Sequence, residues 1–174
     1  MAPSADSIIA TLNLTAHPEG GYFRETFRDD SSSPQQSRPA STLIYYLLRS
    51  TQFSALHRLD ATEVWHFYAG TAALEVVELP VDGDGRVGPK VTRLGMRLEE
   101  GERPQCVVGK GTWFGARLAR EGGGGEGEGE RWALVGCTVA PGFLFEKFEM
   151  GSRERLLAEW PGCEDVVREL TRDG

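Results

Sequence analysis

The 174-residue sequence lacks an excess of basic residues, paired cysteines and long apolar runs. Its formal net charge of -7 at pH 7 disfavours nucleic acid as a partner, because phosphate binding depends on clustered Lys and Arg. No apolar run approaches the roughly 20 residues that cross a bilayer. We therefore expect a partner that is neither nucleic acid nor a membrane.

The three cysteines, Cys106, Cys137 and Cys163, show no spacing typical of a disulfide framework or of a CxxC zinc site. Free thiols buried in a reducing compartment are therefore expected. Residues 1–7 are polar and lack the apolar segment of a secretory signal. The sequence thus predicts a cytoplasmic protein.

Short strands separated by glycine-containing turns make up most of the chain, which is typical of a β-sandwich or a β-barrel. Helices are predicted over Ser7–Leu12, Arg153–Trp160 and Glu164–Leu170. We expect a single domain over residues 1–174, with a core from about residue 8 to residue 170. The predicted strands cover residues 22–28, 42–48, 63–68, 72–79, 91–98, 105–108, 112–118 and 132–139.

Three segments are predicted to be loops or turns that connect strands. Asp29–Pro39 is rich in Ser, Pro and Gln and is expected to form an exposed loop. Asp82–Gly85 repeats Asp-Gly and is predicted as a hairpin turn. Residues 121–130 contain only Gly and Glu, and such a stretch cannot bury apolar area, so we expect a flexible loop there.

The stretch from Phe53 to Gly70 carries the side chains best suited to chemistry. Two strands flank a turn near Asp60, and alternation places His57 on one face of the first strand. Glu63 and Trp65 share a face of the second strand, and His66 lies on the opposite face. We therefore expect an imidazole and a carboxyl group to face each other across a hairpin.

Several strings in the sequence resemble a known family. His57, Glu63 and Gly70 resemble the first cupin motif, and the segment 109–114 resembles the second. The strings HPEGGYFRET from residue 17, WHFYAG from 65, PQCVV from 104 and VGCTVAPGF from 135 are similar to the DUF985 (cupin 5) family. This resemblance implies a mainly β fold, a double-stranded β-helix or jelly-roll barrel, and a homodimer that binds a small polar molecule.

The resemblance departs from the metal-binding cupins, which usually present three His and one Glu. His57 and Glu63 fit two of those positions, but Leu59 and Phe114 stand where the other His residues would fall. Since transition metals are normally held by three or more protein ligands, Gln105 or His66 would have to substitute. No cofactor is firmly predicted, and a divalent transition metal is the less favoured alternative.

Without a metal, His57 and Glu63 are candidates for an acid–base pair. A carboxyl group among Trp65, Trp113 and Phe114 would be desolvated, which raises its pKa. A coupled imidazole and carboxyl group can move protons near neutral pH, as isomerases and epimerases require. The competing interpretation is that Glu63 only accepts hydrogen bonds that brace the barrel.

Other side chains are candidates for binding a substrate. In the strand over residues 22–28, alternation sets Phe23 and Phe27 on one face and Arg24 on the other, where Arg24 could hold an anionic ligand. The amide of Gln105 and the rings of Trp65 and Trp113 are further candidates, although core packing is the default for aromatic rings. His17 is predicted to stabilise its turn or lie on the surface.

Three functions therefore stay open. The first is a metal-free isomerase or epimerase that uses His57 and Glu63. The second is a non-catalytic binding module, which would hold its ligand through Arg24, Gln105 and the tryptophan faces. The third is a metal-dependent dioxygenase or isomerase.

Overall fold

A computed structural model describes residues 3–29, 38–81, 88–120 and 130–172 of the chain. The predicted hairpin turn at Asp82–Gly85 lies outside these ranges. So do most of the predicted loops at Asp29–Pro39 and 121–130.

The described ranges contain eleven strands and three α-helices in an order that matches the predicted series closely. Two short 3₁₀ turns lie at Leu98–Glu100 and Phe145–Lys147. The helices are α1 (Ala5–Leu12), α2 (Arg153–Glu159) and α3 (Glu164–Glu169). The strands are β1 (Thr15–Ala16), β2 (Tyr22–Arg28), β3 (Thr42–Arg49), β4 (Phe53–Leu59), β5 (Thr62–Gly70), β6 (Leu74–Glu78), β7 (Lys90–Leu94), β8 (Gln105–Val108), β9 (Phe114–Leu118), β10 (Trp132–Ala140) and β11 (Phe148–Met150).

The strands form two antiparallel sheets whose inner faces pack together. One sheet has the order β1-β2-β3-β10-β5-β8, and the other has the order β11-β4-β9-β6-β7. Side chains from both sheets meet in the main core, among them Tyr46, Trp65, Leu74 and Phe114. The predicted mainly β, jelly-roll architecture with short helices near both ends is confirmed.

The connection between β4 and β5 differs from the predicted hairpin. β4 pairs with β9 and β11, whereas β5 pairs with β8 and β10, so the two strands belong to different sheets. The turn at Asp60 is therefore a corner that carries the chain from one sheet to the other. As a result, His57 and Glu63 lie on opposite walls of the barrel.

A bulge in β2 changes which of its side chains face inward. The pairing of β2 with β3 shifts register between Glu25 and Phe27. Because one extra residue reverses the alternation of a strand, Phe27 points outward and is 49% exposed, while Phe23 lies against the core. The prediction that Phe23 and Phe27 share a face is therefore wrong.

The helices cover parts of the sheets. Ser4 caps α1, since its Oγ accepts a hydrogen bond from the Ser7 amide at 3.2 Å, and the apolar face of α1 packs near Leu47 and Trp132. Residues of α2 and α3 pack against the second sheet, where Leu156 and Val167 join a buried cluster with Leu56. No helix in the described ranges has the length and apolar character needed to cross a membrane.

Candidate functional site

A cavity of about 60 Å³ lies between the two sheets. Its walls are mostly apolar, and they include Phe23, Ile44, Leu59, Val139, Phe143 and Phe148. Polar side chains interrupt these walls, namely His17, Glu19, Glu25, Thr42, His57 and Glu63. Groups that can exchange protons therefore share a small space with apolar surface.

His57 lies on β4 and is only 2% exposed, with its ring centre 4.2 Å from that of Phe114 and 5.2 Å from that of Phe148. Its Nδ1 atom is 2.7 Å from the Ala55 carbonyl oxygen and 3.3 Å from Oε2 of Glu19. Because a carbonyl oxygen can only accept, Nδ1 carries the proton. Nε2 is therefore the ring nitrogen left to face a ligand.

Glu19 reaches this imidazole from the turn at His17–Gly21. The Ser54 hydroxyl donates to Oε1 of Glu19 at 2.9 Å, and the Ala55 amide donates to the Glu19 carbonyl oxygen at 2.9 Å. The turn thus docks onto β4 where its pairing with β9 shifts register, between Ser54 and His57. This docking buries the Glu19 carboxylate, which is 6% exposed, beside His57.

The two glycines of the turn make this close approach possible. Gly20 has φ +114° and Gly21 has φ +72°, conformations that residues with a side chain rarely adopt. A Cβ atom on Gly20 would overlap the carbonyl oxygen of Phe53, and one on Gly21 would lie 2.7 Å from that of Leu47. The Pro-Glu-Gly-Gly string therefore positions Glu19.

His17 supports the same turn, but its side chain is only 7% exposed, so its predicted alternative place on the surface is wrong. Its Nδ1 accepts a hydrogen bond from the Glu19 amide at 3.3 Å, and its ring packs edge-on against Phe23. Burial lowers the pKa of His17, and the nearby Glu19 carboxylate opposes that effect in part. His17 is therefore a neutral group that lines the cavity at neutral pH.

Glu63 enters the cavity from β5, on the opposite sheet, and is 6% exposed. Burial, reinforced by the negative charge of Glu19, raises the pKa of Glu63 to about 8. The Cys137 thiol and the Trp65 indole lower this pKa in part, although Trp65 Nε1 makes no hydrogen bond of standard geometry. Glu63 therefore carries a proton at neutral pH.

Burial and the adjacent Glu63 also raise the pKa of the Cys137 thiol well above its ordinary value. The thiol is therefore protonated, and it is no nucleophile in this setting.

Comparison with known proteins identifies the family. The family model described as cupin superfamily (DUF985) matches residues 6–151. The chain belongs to this family. The cupin is similar to a solved structure, protein SO0799 from Shewanella oneidensis, at 37% identity and a TM-score of 0.85, covering 99% of this chain and 100% of that one.

Two further relatives span most of the cupin. A hypothetical protein from Leishmania major is 31% identical with a TM-score of 0.85, covering 98% of this chain and 100% of that one. The relative named "Uncharacterized protein YML079W" from Saccharomyces cerevisiae is 28% identical over 156 residues, which is 82% of this chain and 73% of the relative. None of the three names states an activity.

The residues of this cupin do not fit a metal centre. Leu59 and Phe114, at the positions where the metal-binding cupins usually have His, are buried apolar residues. The substitutes considered, Gln105 and His66, lie outside the cavity lining: Gln105 Nε2 is 3.2 Å from His66 Nδ1, and Gln105 is exposed. No group of three His, Cys, Asp or Glu side chains in the described ranges could hold a metal ion.

Arg24 does not line the cavity as the sequence suggested. Its side chain is exposed and donates to the carbonyl oxygen of Leu12 at 3.1 Å. Its neighbours Phe23 and Glu25 line the cavity instead, because alternate residues of β2 point inward.

The two tryptophans predicted to bind substrate are core residues. Trp65 packs edge-on against Tyr46 and Phe114, with ring centres 5.7 and 6.2 Å apart. Trp113 belongs to the separate cluster under α2 and α3, where it packs beside Trp160. The default interpretation of aromatic rings as core therefore applies to both.

Glu19 is a cavity residue that the sequence prediction does not include. Its string, His17-Pro-Glu-Gly-Gly, contributes to the family resemblance and predicts a turn, but no role is predicted for Glu19. The usable signal is an acidic residue followed by two glycines, since paired glycines permit backbone to approach backbone closely.

Proposed function

We propose that this cupin is a metal-independent isomerase or epimerase in which His57 is the general base and Glu63 the general acid. One observation carries the proposal: an imidazole with a free Nε2 and a protonated carboxyl group line the same buried cavity. Enzymes separate acid and base roles by placing two titratable groups in environments that push their pKa values apart.

The proposed reaction moves protons within the substrate and leaves its overall oxidation state unchanged. His57 Nε2 takes a proton from the carbon beside a substrate carbonyl group, while the Glu63 hydroxyl gives its proton to the carbonyl oxygen. For epimerisation, the resulting enol turns over in the cavity, returns its hydroxyl proton to Glu63 and takes the proton of His57 on the opposite face of the same carbon. For isomerisation of an α-hydroxy carbonyl compound, the resulting enediol gives the proton of its other hydroxyl group to Glu63, and His57 adds its proton to the former carbonyl carbon.

Glu19 supports the base in this scheme as a positioning residue. Its Oε2 lies 3.3 Å from Nδ1 of His57, on the side of the ring that donates to the Ala55 carbonyl oxygen, so Nε2 faces away from Glu19. As His57 takes up a proton, the Glu19 carboxylate stabilises the positive charge of the imidazolium, in the way that the acidic member of a catalytic triad does.

A non-catalytic binding module is the alternative function. The mostly apolar walls and the small volume of about 60 Å³ suit capture of a small ligand as well as its conversion. The two functions differ in one respect, because only an enzyme needs both His57 and Glu63 to exchange protons with the ligand.

Hydrogen–deuterium exchange tests the proposal directly. The protein is incubated in D₂O with small carbonyl compounds such as hydroxyacetone and dihydroxyacetone, and loss of the C–H signal beside the carbonyl group is followed by proton NMR. We expect catalysed exchange that falls about 10²- to 10⁴-fold in each of the variants His57→Gln and Glu63→Gln.

Glu25→Gln is the matched control for this experiment. Glu25 also lines the cavity, but it is exposed and paired with Arg28, and we assign it no part in proton transfer. Exchange should persist in this variant. Equal exchange in wild type, His57→Gln and Glu63→Gln would remove the acid–base assignment, and binding without exchange would favour the binding module.

Two further properties stay predictions, namely assembly as a homodimer, from the family resemblance, and location in the cytoplasm, from the unpaired cysteines and the polar N-terminal residues. Light scattering coupled to size-exclusion chromatography tests the first, since a dimer has twice the 19.1 kDa mass of the chain. A monomer at working concentrations would contradict it.

A further inference from the structure

We propose that the cavity selects uncharged ligands that carry a carbonyl or hydroxyl group on a small apolar body, and that the fixed charge of Glu19 rejects anions. This inference deepens the proposed function by naming the class of substrate. It concerns binding alone, so it can be tested without turnover.

The cavity offers no cation to an anionic ligand. No lysine or arginine in the described ranges lines it. Arg28 donates to the Phe143 carbonyl oxygen beside the cavity, but its guanidinium also makes two hydrogen bonds to Glu25, at 2.6 and 2.9 Å. Arg38 is held in the same way by Asp60, with two bonds of 2.9 Å.

The Glu19 carboxylate cannot move away from an incoming anion. Ser54, the docked backbone of the turn and the Nδ1 side of His57 hold it in place. Two like charges a few ångströms apart in a poorly hydrated site repel each other strongly. A carboxylate or phosphate would therefore lose its hydration and gain repulsion.

An ammonium group also finds few partners in this cavity. It would need several free acceptors to replace its water. Oε1 of Glu19 already accepts from Ser54, and Oε2 faces the Nδ1 proton of His57. The rest of the lining is mostly apolar, with Phe23, Ile44 and Val139 among its side chains.

An uncharged carbonyl or hydroxyl compound matches what the cavity does offer. The protonated Glu63 can donate to a carbonyl oxygen and can accept from a hydroxyl group. The apolar walls can bury the rest of a small molecule, which favours binding in proportion to the area removed from water.

Three probes of nearly equal size and shape separate the charge classes: propionamide is uncharged, propionate is an anion and propylammonium is a cation. Their affinities for the full-length protein are measured by NMR titration of backbone amides around His57 and Glu63. We expect propionamide to bind best, and propionate to bind at least about tenfold more weakly because of the repulsion by Glu19.

The variant Glu19→Gln should reduce the difference between propionamide and propionate, since it removes the charge but keeps the size of the side chain. The variant Glu154→Gln should leave that difference as in wild type, because Glu154 is exposed on α2 and does not line the cavity. The three wild-type affinities test the inference even if Glu19→Gln does not fold.

Binding of propionate or propylammonium to wild type as tightly as propionamide would overturn the inference, and so would the absence of propionamide binding. An unchanged preference in folded Glu19→Gln would remove Glu19 as its cause. If propionamide binds selectively but no variant alters deuterium exchange, the proposed enzyme function fails while the charge selectivity stands.

Discussion

A carboxyl group can act as an acid at neutral pH only where its surroundings disfavour its charge. Glu63 meets this condition because it is buried and faces a second carboxylate, Glu19. His57 lies in the same cavity, but its Nδ1 proton is directed to Ala55 and Glu19. In the proposed mechanism, these two side chains of similar burial therefore take opposite roles.

The Glu19→Gln variant tests the proposed role of Glu19 in positioning His57. We expect kcat for proton exchange to fall about ten- to a thousandfold, because the variant no longer stabilises the imidazolium of His57. KM for an uncharged substrate should change little, since Glu63 and the apolar walls bind it. Steady-state kinetics as a function of pH measure both quantities.

The control is Ser54→Ala, which removes one hydrogen bond to Glu19 but keeps its charge. Its kcat should fall less than that of Glu19→Gln. Equal kcat values and pH profiles in wild type and Glu19→Gln would contradict the positioning role.

The sequence could identify His57 and Glu63 as residues of one site, because both lie in a motif with recognisable spacing. It could not identify Glu19, which reaches the cavity from a turn far away in the chain. It also could not decide the direction of Arg24 or Gln105. Alternation divides a strand into two faces, but it does not say which face is inward.

At the scale of elements, the turn at His17–Gly21 is the part of the fold that builds the site. It packs against β4 through the Ala55 amide, and Arg172 donates to the Pro18 carbonyl oxygen at 3.0 Å. The turn is thus held through its own carbonyl groups on two sides, by a backbone amide and by an arginine side chain, which fixes the position of Glu19.

Substitution of Gly20 by alanine should destabilise the protein by about 2 kcal/mol or more. The positive φ alone costs about 1–2 kcal/mol for a residue with a side chain, and the added Cβ would also overlap the Phe53 carbonyl oxygen. Urea unfolding followed by tryptophan fluorescence measures the free energy of unfolding.

Gly111→Ala is the matched control, because Gly111 has a similar positive φ of +77° but open space where a Cβ would lie. It should cost only the conformational part, about 1 kcal/mol. If the two variants lose equal stability, the close packing of the turn against β4 is not what requires glycine.

The strands themselves follow from short β-branched and aromatic runs between turns, so most of them could be predicted. These runs do not encode which strands pair with each other or where a bulge occurs. The pairing of β4 and β5 in different sheets depends on contacts with β9, β10 and β8. A single bulge in β2 was enough to reverse the predicted direction of Phe27.

For the whole molecule, burial of Glu63 inside the barrel makes the stability of the fold depend on the protonation of this residue. Glu63 has an ordinary pKa of 4.5 when it is exposed and a pKa of about 8 in the folded protein. Between these values the folded state binds more protons than the unfolded state, so the contribution of Glu63 to stability falls as pH rises. The contribution is fully present below pH 4.5 and is lost by about pH 8.

This dependence predicts a measurable difference between wild type and Glu63→Gln, which cannot titrate. Between about pH 5 and 8, wild type should lose up to about 1.4 kcal/mol of stability per pH unit relative to the variant. Urea unfolding of both proteins across this range gives the difference. Taking the difference between the two proteins also removes the contribution of His17, whose lowered pKa makes stability rise with pH. Parallel curves would show that Glu63 does not titrate in this window.

The proton on Glu63 can be observed most directly by NMR. In protein labelled with ¹³C at the glutamate side-chain carboxyl carbon, one resonance should titrate with a pKa of about 8 and should be missing from Glu63→Gln. If every glutamate of the wild type has lost its proton by pH 6, Glu63 is not an acid at neutral pH, and the proposed mechanism is wrong.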